Sequence, residues 1–285
     1  DLGDPINWNR DHRAGVRAPR RFAPTIGYRD FRETGDCKQV WEPNRHHQFV
    51  ILARAYHVTR DVRYAEALVK QWRHWITENP YGIGMNWRSP LELGIRLINW
   101  VWAMDLIRDS GAMTDVAYAQ VMNSVYRHIW EIARKFSRGS SANNHLIGEA
   151  AGVYIACRYW PGLRNTERWR RRSREILLRE IHRQTNPDGG NKEQALGYQL
   201  FVLQFFLLSG LVGRWSDDEF PREYWDVVER MCLYIGAMSE GGPNLPLYGD
   251  CDDGYVLDLG CDHHDFRAWL SVAAVLFERP ELKRW

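Results

Sequence analysis

Four short polar clusters carry the side chains of this sequence that could hold an anion or move a proton. They are Asn44-Arg45-His46-His47, Asn86-Trp87-Arg88, Asn143-Asn144-His145 and Asp188-Gly189-Gly190-Asn191, the last followed by Glu193, Gln194 and Tyr198. Amide and imidazole N–H groups donate to a carboxylate, and an arginine fork pairs with carboxylate or sulfate-like groups. An indole face packs on the apolar face of a sugar ring. A phenol titrates near pH ~10 when free, so positive charge or hydrogen bonds must shift it before it can act as a base at neutral pH.

Three of the four clusters also have a plain alternative. Asn44 and Asn143 suit helix N-caps. His46 and His47 are adjacent, and adjacent helical residues point in different directions, which argues against joint metal chelation. Gly189-Gly190 suits a turn, and Tyr198 on an otherwise apolar helix suits a core position with a bonded hydroxyl. Arg96 and Glu92 read as structural.

The elements that must position these groups are helical. Phe49, Leu52, Ala53 and Tyr56 mark one apolar face, and Ala65, Leu68, Val69, Trp72, Trp75 and Ile76 the next. Met122, Val125, Ile129, Ile132, Ala133 and Phe136 repeat the spacing. The pattern predicts helices near 44–58, 61–78, 90–109, 115–137, 144–159, 165–185, 192–213, 217–239 and 265–278. Ser89-Pro90-Leu91-Glu92 and Ser216 with Glu219 read as capping boxes. The best strand signal is a short stretch from Tyr255 to Leu259.

The helices pair through short connections, each pair starting roughly fifty residues after the last, the period of helical hairpins. The fold class is therefore all-α, and stacked hairpins make either an open solenoid or an α/α toroid. Residues 1–43, with Pro5, Pro19, Pro24 and several glycines, read as an irregular wrapping segment ahead of a helical domain at 44–285. The last hairpin is expected to be incomplete, which makes an incomplete barrel. In up-down pairs the first helices all start at one end, so the four clusters should converge on one rim. Helix N-termini there add N–H donors and partial positive charge.

Composition narrows the partners. Net charge is +2, which gives no electrostatic reason to expect nucleic acid. No uninterrupted apolar run approaches the ~20 residues of a membrane helix, so membrane insertion is not expected. Lys and Arg together number 38, of which only five are Lys; either a preference for anionic ligands or codon bias accounts for that. Fourteen Trp and thirteen Tyr suit a glycan cleft as well as a core. Cys37, Cys157, Cys232, Cys251 and Cys261 form no CxxC pair and no zinc-like spacing; Cys157 and Cys232 suit buried thiols. Asp250 to Gly254 fails the EF-hand pattern. No metal or cofactor is expected in this chain. A start at Asp1 rather than Met suggests a processed or excised chain whose export signal is already gone.

Asn143-Asn144-His145-Leu146-Ile147-Gly148-Glu149 resembles the helix-opening NNHxxGE segment of the heparinase II/III-like polysaccharide lyases. Asp188-Gly189-Gly190-Asn191-Lys192-Glu193-Gln194, closed by Gly197-Tyr198, resembles their DGGxxEQ…Y segment. Asn44-Arg45-His46, Asn86-Trp87-Arg88-Ser89-Pro90-Leu91-Glu92, Tyr248-Gly249-Asp250 and Asp252-Asp253-Gly254 are similar to further blocks in the same order. The resemblance implies an α/α toroid and a bacterial enzyme that cleaves a uronic-acid-containing acidic polysaccharide, heparin- or heparan-sulfate-like, by β-elimination. It implies catalytic roles for Asn144, His145 and Tyr198 and substrate contacts from Arg45, His46, Asn86, Trp87, Asn143 and Gln194. It also implies a periplasmic or secreted location and a C-terminal β-sandwich beyond this chain that supplies another catalytic histidine, where a metal could also sit. One departure is Gln199, where the family commonly has His after the tyrosine.

β-Elimination removes the C5 proton, α to a carboxylate, and expels the 4-O-linked sugar. Asn144 with His145 would neutralise that carboxylate, and Tyr198 would serve as base or acid. A glycoside hydrolase on a similar toroid is the first alternative, using Asp188 with Glu193 or one of Asp250, Asp252 and Asp253. A non-catalytic glycan-binding module is the second.

Overall fold

A computed structural model describes residues 2–239, 246–250, 254–258, 260 and 266–283. Nine helices longer than ten residues occur among them: α1 (His47–Thr59), α2 (Val62–Glu78), α3 (Pro90–Leu106), α4 (Asp115–Arg134), α5 (Asn144–Tyr159), α6 (Thr166–Gln184), α7 (Leu196–Trp215), α8 (Arg222–Met238) and α9 (Phe266–Leu276). No β-ladder occurs among the described residues, only isolated bridges such as Thr185 with Asn191. Packing divides the chain into two compact units, residues 1–136 and 137–285.

In the first unit, α1 packs on α2 and α3, and α4 packs on α2 and α3. Asp61 caps α2 by accepting from Arg63 N, and Thr114 caps α4 by accepting from Ala117 N. The first forty residues join the interior. Trp8 is buried and donates to His74 Nδ1 at 3.0 Å, while Ala18, Ile26, Val40, Trp41 and Met85 form one apolar cluster.

In the second unit, α5 packs on α6 and α7, and α8 packs on α6, α7 and α9. Helices α5 and α7 are buried around most of their circumference, whereas α6 and α8 bury a single stripe. An all-round apolar helix belongs inside a unit and a one-sided helix outside it. Gly148, Ala150, Ala151 and Gly152 give α5 small side chains where its neighbours approach.

Several sequence expectations need correction. Ser89 makes no side-chain cap bond, and the Glu92 side chain, which would complete the box, pairs with Arg45 instead. Ser216 ends α7 and donates to Val212 O; Glu219 pairs with Arg214, and α8 starts only at Arg222, behind Pro221. Helix α7 starts at Leu196 rather than near 192, because Asn191 Oδ1 accepts from Glu193 N at 2.8 Å and holds a turn there. No strand forms over the described residues 254–258; Val256 is buried and its N–H donates to Gln204 Oε1, a side chain, at 2.8 Å. Finally, α7 is 20 residues long and apolar enough by composition to cross a bilayer. Within the unit, 78% of its most apolar stretch is buried, as suits a core helix.

Candidate functional site

The residues expected to contact substrate in the first unit are instead taken up by its interior. Arg45 is 6% exposed, and its Nε and Nη2 donate to the two oxygens of Glu92 at 2.8 and 3.0 Å. Arg96, fully buried, links the two polar clusters of this unit. Its Nε donates to Asn44 O at 2.5 Å and its Nη1 to Asn86 O at 3.2 Å, with the guanidinium 4.5 Å over the Trp75 ring. Burial pushes Arg96 down to about 9.

His46 is also fully buried. Trp100 Nε1 donates to its Nδ1 at 2.7 Å, and its ring stacks on Phe49. Burial first, then the Arg96 charge, holds the His46 and His128 imidazoles well below the ordinary histidine range, so both are neutral. Asn86 Nδ2 donates to Trp8 O and Asn79 Oδ1, and Trp87 Nε1 donates to Asn79 O at 3.0 Å. Asn44 is no cap: its amide bridges Trp8 O, Val40 O and Trp75 Nε1.

The second unit gathers the other group. Asn143 caps α5 by accepting from His145 N. Glu193 clamps the next residue: its Oε1 accepts from Asn144 N at 2.9 Å and its Oε2 from Asn144 Nδ2 at 2.7 Å. Asn143 Nδ2 adds a longer bond at 3.4 Å. The Asn144 amide turns its nitrogen toward Glu193; one N–H goes to the clamp, and the other belongs to a side chain that is itself buried, the residue being 4% exposed. The clamp joins the first residue of α5 to the segment entering α7. Because α5 and α7 also pack together, the two helices begin at the same end of this unit.

Tyr198, the third residue of α7, is half-buried, and its hydroxyl donates to Asp250 Oδ2 at 3.4 Å. Leu196 N donates to Tyr248 O, which brings the 246–250 segment to the same helix start. His145 is half-buried in the first turn of α5. Gln194 is exposed, with φ +55°. Asp188 Oδ1 accepts from Gly190 N, and Gly189, at φ +95°, passes so close to α8 that a Cβ would lie 2.2 Å from Arg230 O. That turn feeds the bridge between Thr185 and Asn191 and so sets where Glu193 stands.

Two acids matter more than their sequence signals suggested. Glu193 lies in the segment after Gly189-Gly190, where sequence offers it only as a hydrolase acid; its place as a clamp depends on the spatial neighbour Asn144. Glu149, fully buried, accepts from Ser137 N at 2.7 Å and Ser137 Oγ at 2.6 Å, and burial pushes it up to about 7. It anchors the connection that leads to Asn143. Among the described residues no trio of His, Cys, Asp or Glu is placed to hold a metal. Cys37, Cys157 and Cys232 are free thiols, the last two buried. Cys251, Asp252, Asp253 and Cys261 lie outside the described residues.

Residues 1–270 match the family model described as heparinase II/III N-terminus. The chain is 27% identical over 289 aligned residues to a heparin-sulfate lyase of Pedobacter heparinus, covering 95% of this chain and 43% of that protein. It is 27% identical over 240 residues to a heparin-sulfate lyase of Bacteroides stercoris, covering 75% of this chain and 35% of that protein. The chain thus spans less than half the length of these curated relatives. A crystal structure of a heparan sulfate lyase mutant from Pedobacter heparinus superposes with a TM-score of 0.67 at 23% identity, covering 100% of this chain and 41% of the other. That likeness carries the fold, the all-α toroid class.

Proposed function

The chain belongs to the heparinase II/III family, and from that membership and the Glu193 clamp on Asn144 we propose a polysaccharide lyase that cleaves a heparin- or heparan-sulfate-like chain by β-elimination. The working protein in this proposal includes a C-terminal β-sandwich beyond the present chain and acts in the periplasm or outside the cell.

The C5 proton of a uronate is weakly acidic because its removal adds charge beside an ionised carboxylate. The second amide hydrogen of Asn144 and the imidazole of His145 are the donors proposed to face that carboxylate, helped by the positive end of α5. Glu193 is a positioning residue, since it fixes which way the amide faces. Tyr198 handles the protons. As phenolate it takes the C5 proton, the C5–H electrons form the C4–C5 double bond, the C4–O4 bond breaks, and the phenol returns the proton to O4. The residue ends as it began. Gln199 takes no part, since it is a buried brace that accepts from Asn191 N and donates to Gly189 O.

The observation that carries this reading is the geometry that brings the Asn144 amide and the Tyr198 helix to one end of the second unit. The same geometry disfavours Asp188 with Glu193 as the acid pair of a hydrolase, which needs two carboxylates ~5–9.5 Å apart across the sugar. Asp188 is committed to its own turn and Glu193 to the clamp.

The test is absorbance near the ultraviolet band of the unsaturated product, with the full-length protein on heparin, heparan sulfate and alginate. Lyase action raises absorbance on at least one polymer, and Tyr198→Phe lowers the rate by roughly 100-fold or more while binding persists. New reducing ends without absorbance would mean hydrolysis. Binding without either signal would mean a non-catalytic module.

A further inference from the structure

Trp87 is sealed in the first unit, but the aromatic side chains beside it are not. Pro80 and Tyr81, after α2, and Tyr126, Arg127 and Trp130, on α4, line a cavity of about 440 Å³. Residues 126, 127 and 130 share one side of α4 because positions three and four apart are neighbours on a helix. Tyr81 closes the wall. Its hydroxyl donates to Glu131 Oε2 at 2.6 Å, and its ring meets Trp130 at 6.2 Å and Trp87 at 5.0 Å. Trp130 is 39% exposed, so part of its ring is open to solvent.

The rim is positive. Glu131 is the acid at this wall, and Arg134 and Lys135 both pair with it. The Arg134 guanidinium also lies 4.3 Å over the Trp130 ring. Arg127, exposed, stands 5.6 Å over the Tyr81 ring. Three cations against one carboxylate leave an excess of positive charge around aromatic faces. Part-exposed aromatic rings, each with a guanidinium over one face, suit a pyranose ring that carries a sulfate or carboxylate.

We infer that this pocket is a binding subsite for an anionic sugar residue of an acidic polysaccharide, with Trp130 and Tyr81 packing on the ring and Arg127 pairing with its charged substituent. The inference rests on the substrate class proposed above. The assay is fluorescence anisotropy of a labelled heparan-sulfate hexasaccharide with the full-length protein and its Trp130→Ala and Arg127→Gln variants. Both side chains are exposed, so the fold should be kept, and circular dichroism and Tm check this.

Each variant is expected to bind roughly three- to tenfold more weakly. Trp130→Phe should retain most of the affinity, and Arg127→Gln should flatten its dependence on salt. If the parent binds and cleaves the polymer but both pocket variants bind unchanged, the subsite is wrong and the lyase reading stands. If the parent binds no acidic oligosaccharide, the lyase reading falls and takes the subsite with it.

Discussion

Replacing Glu193 by Gln tests whether the clamp on Asn144 serves the chemistry or only the fold. Glu193 accepts from Asn144 N, Asn144 Nδ2 and Asn143 Nδ2. Gln offers one carbonyl oxygen and an amide that donates. If that oxygen keeps the backbone N–H, the new amide faces Asn144 Nδ2 across a separation that was 2.7 Å, donor against donor. Asn144 must then reverse its amide or move away. The loss is one charge-assisted hydrogen bond at a nearly buried residue, on the order of 2 kcal/mol. For a chain of this size that corresponds to a Tm lower by roughly 3 °C. A reversed amide no longer presents its hydrogen to the substrate carboxylate, and removing one such donor costs roughly 100-fold in kcat. KM should change little. Scanning calorimetry and initial rates by absorbance, with Glu193→Asp as the variant that keeps the charge, give both numbers. A lower Tm with unchanged kcat would show that the Asn144 amide has no part in the reaction. No change in either would show that the clamp contributes nothing.

Arg45→Ala strands the Glu92 carboxylate, 3% exposed, without its bidentate partner, and should cost about 3–5 kcal/mol. Urea midpoints should show that loss, and a double variant with Glu92→Leu should recover much of it. Gly189→Ala forces a Cβ to within 2.2 Å of Arg230 O at a φ of +95°, and should destabilise by more than about 3 kcal/mol or abolish soluble expression. Glu149 gives a pH dependence. Its folded-state pKa is raised from an ordinary 4.5 to about 7. Between those values the unfolded chain has released the proton while the folded chain keeps it, so stability falls as pH rises through that window and levels off above it. The full drop is about 3 kcal/mol. Glu149→Gln should flatten that window in Tm against pH, and an unchanged profile would refute the assignment.

The helices were legible because their signals are local. Apolar spacing placed α1 to α9 within a few residues, apart from the starts of α7 and α8. Those two starts escaped because side chains found other partners: Asn191 made a turn, and Ser216 closed the preceding helix. The Glu92 half of the Ser89 capping box failed the same way, because that carboxylate pairs with Arg45. The all-round apolar α7 was legible as a helix, but that it is a core helix shows only from what covers it.

The sequence alone carried which residue types stand at helix starts and the motifs that liken the chain to a lyase family, and from that likeness came the expectation for Asn144, His145 and Tyr198. Tertiary structure alone decided which polar groups are enclosed and by what. Arg45, His46, Asn86 and Trp87 carry the same side chains as a binding surface would, yet their partners Glu92, Trp100, Trp8 and Asn79 come from distant parts of the first unit and enclose them. Burial and pairing are properties of contacts between segments far apart in the chain, and spacing along the chain does not encode them.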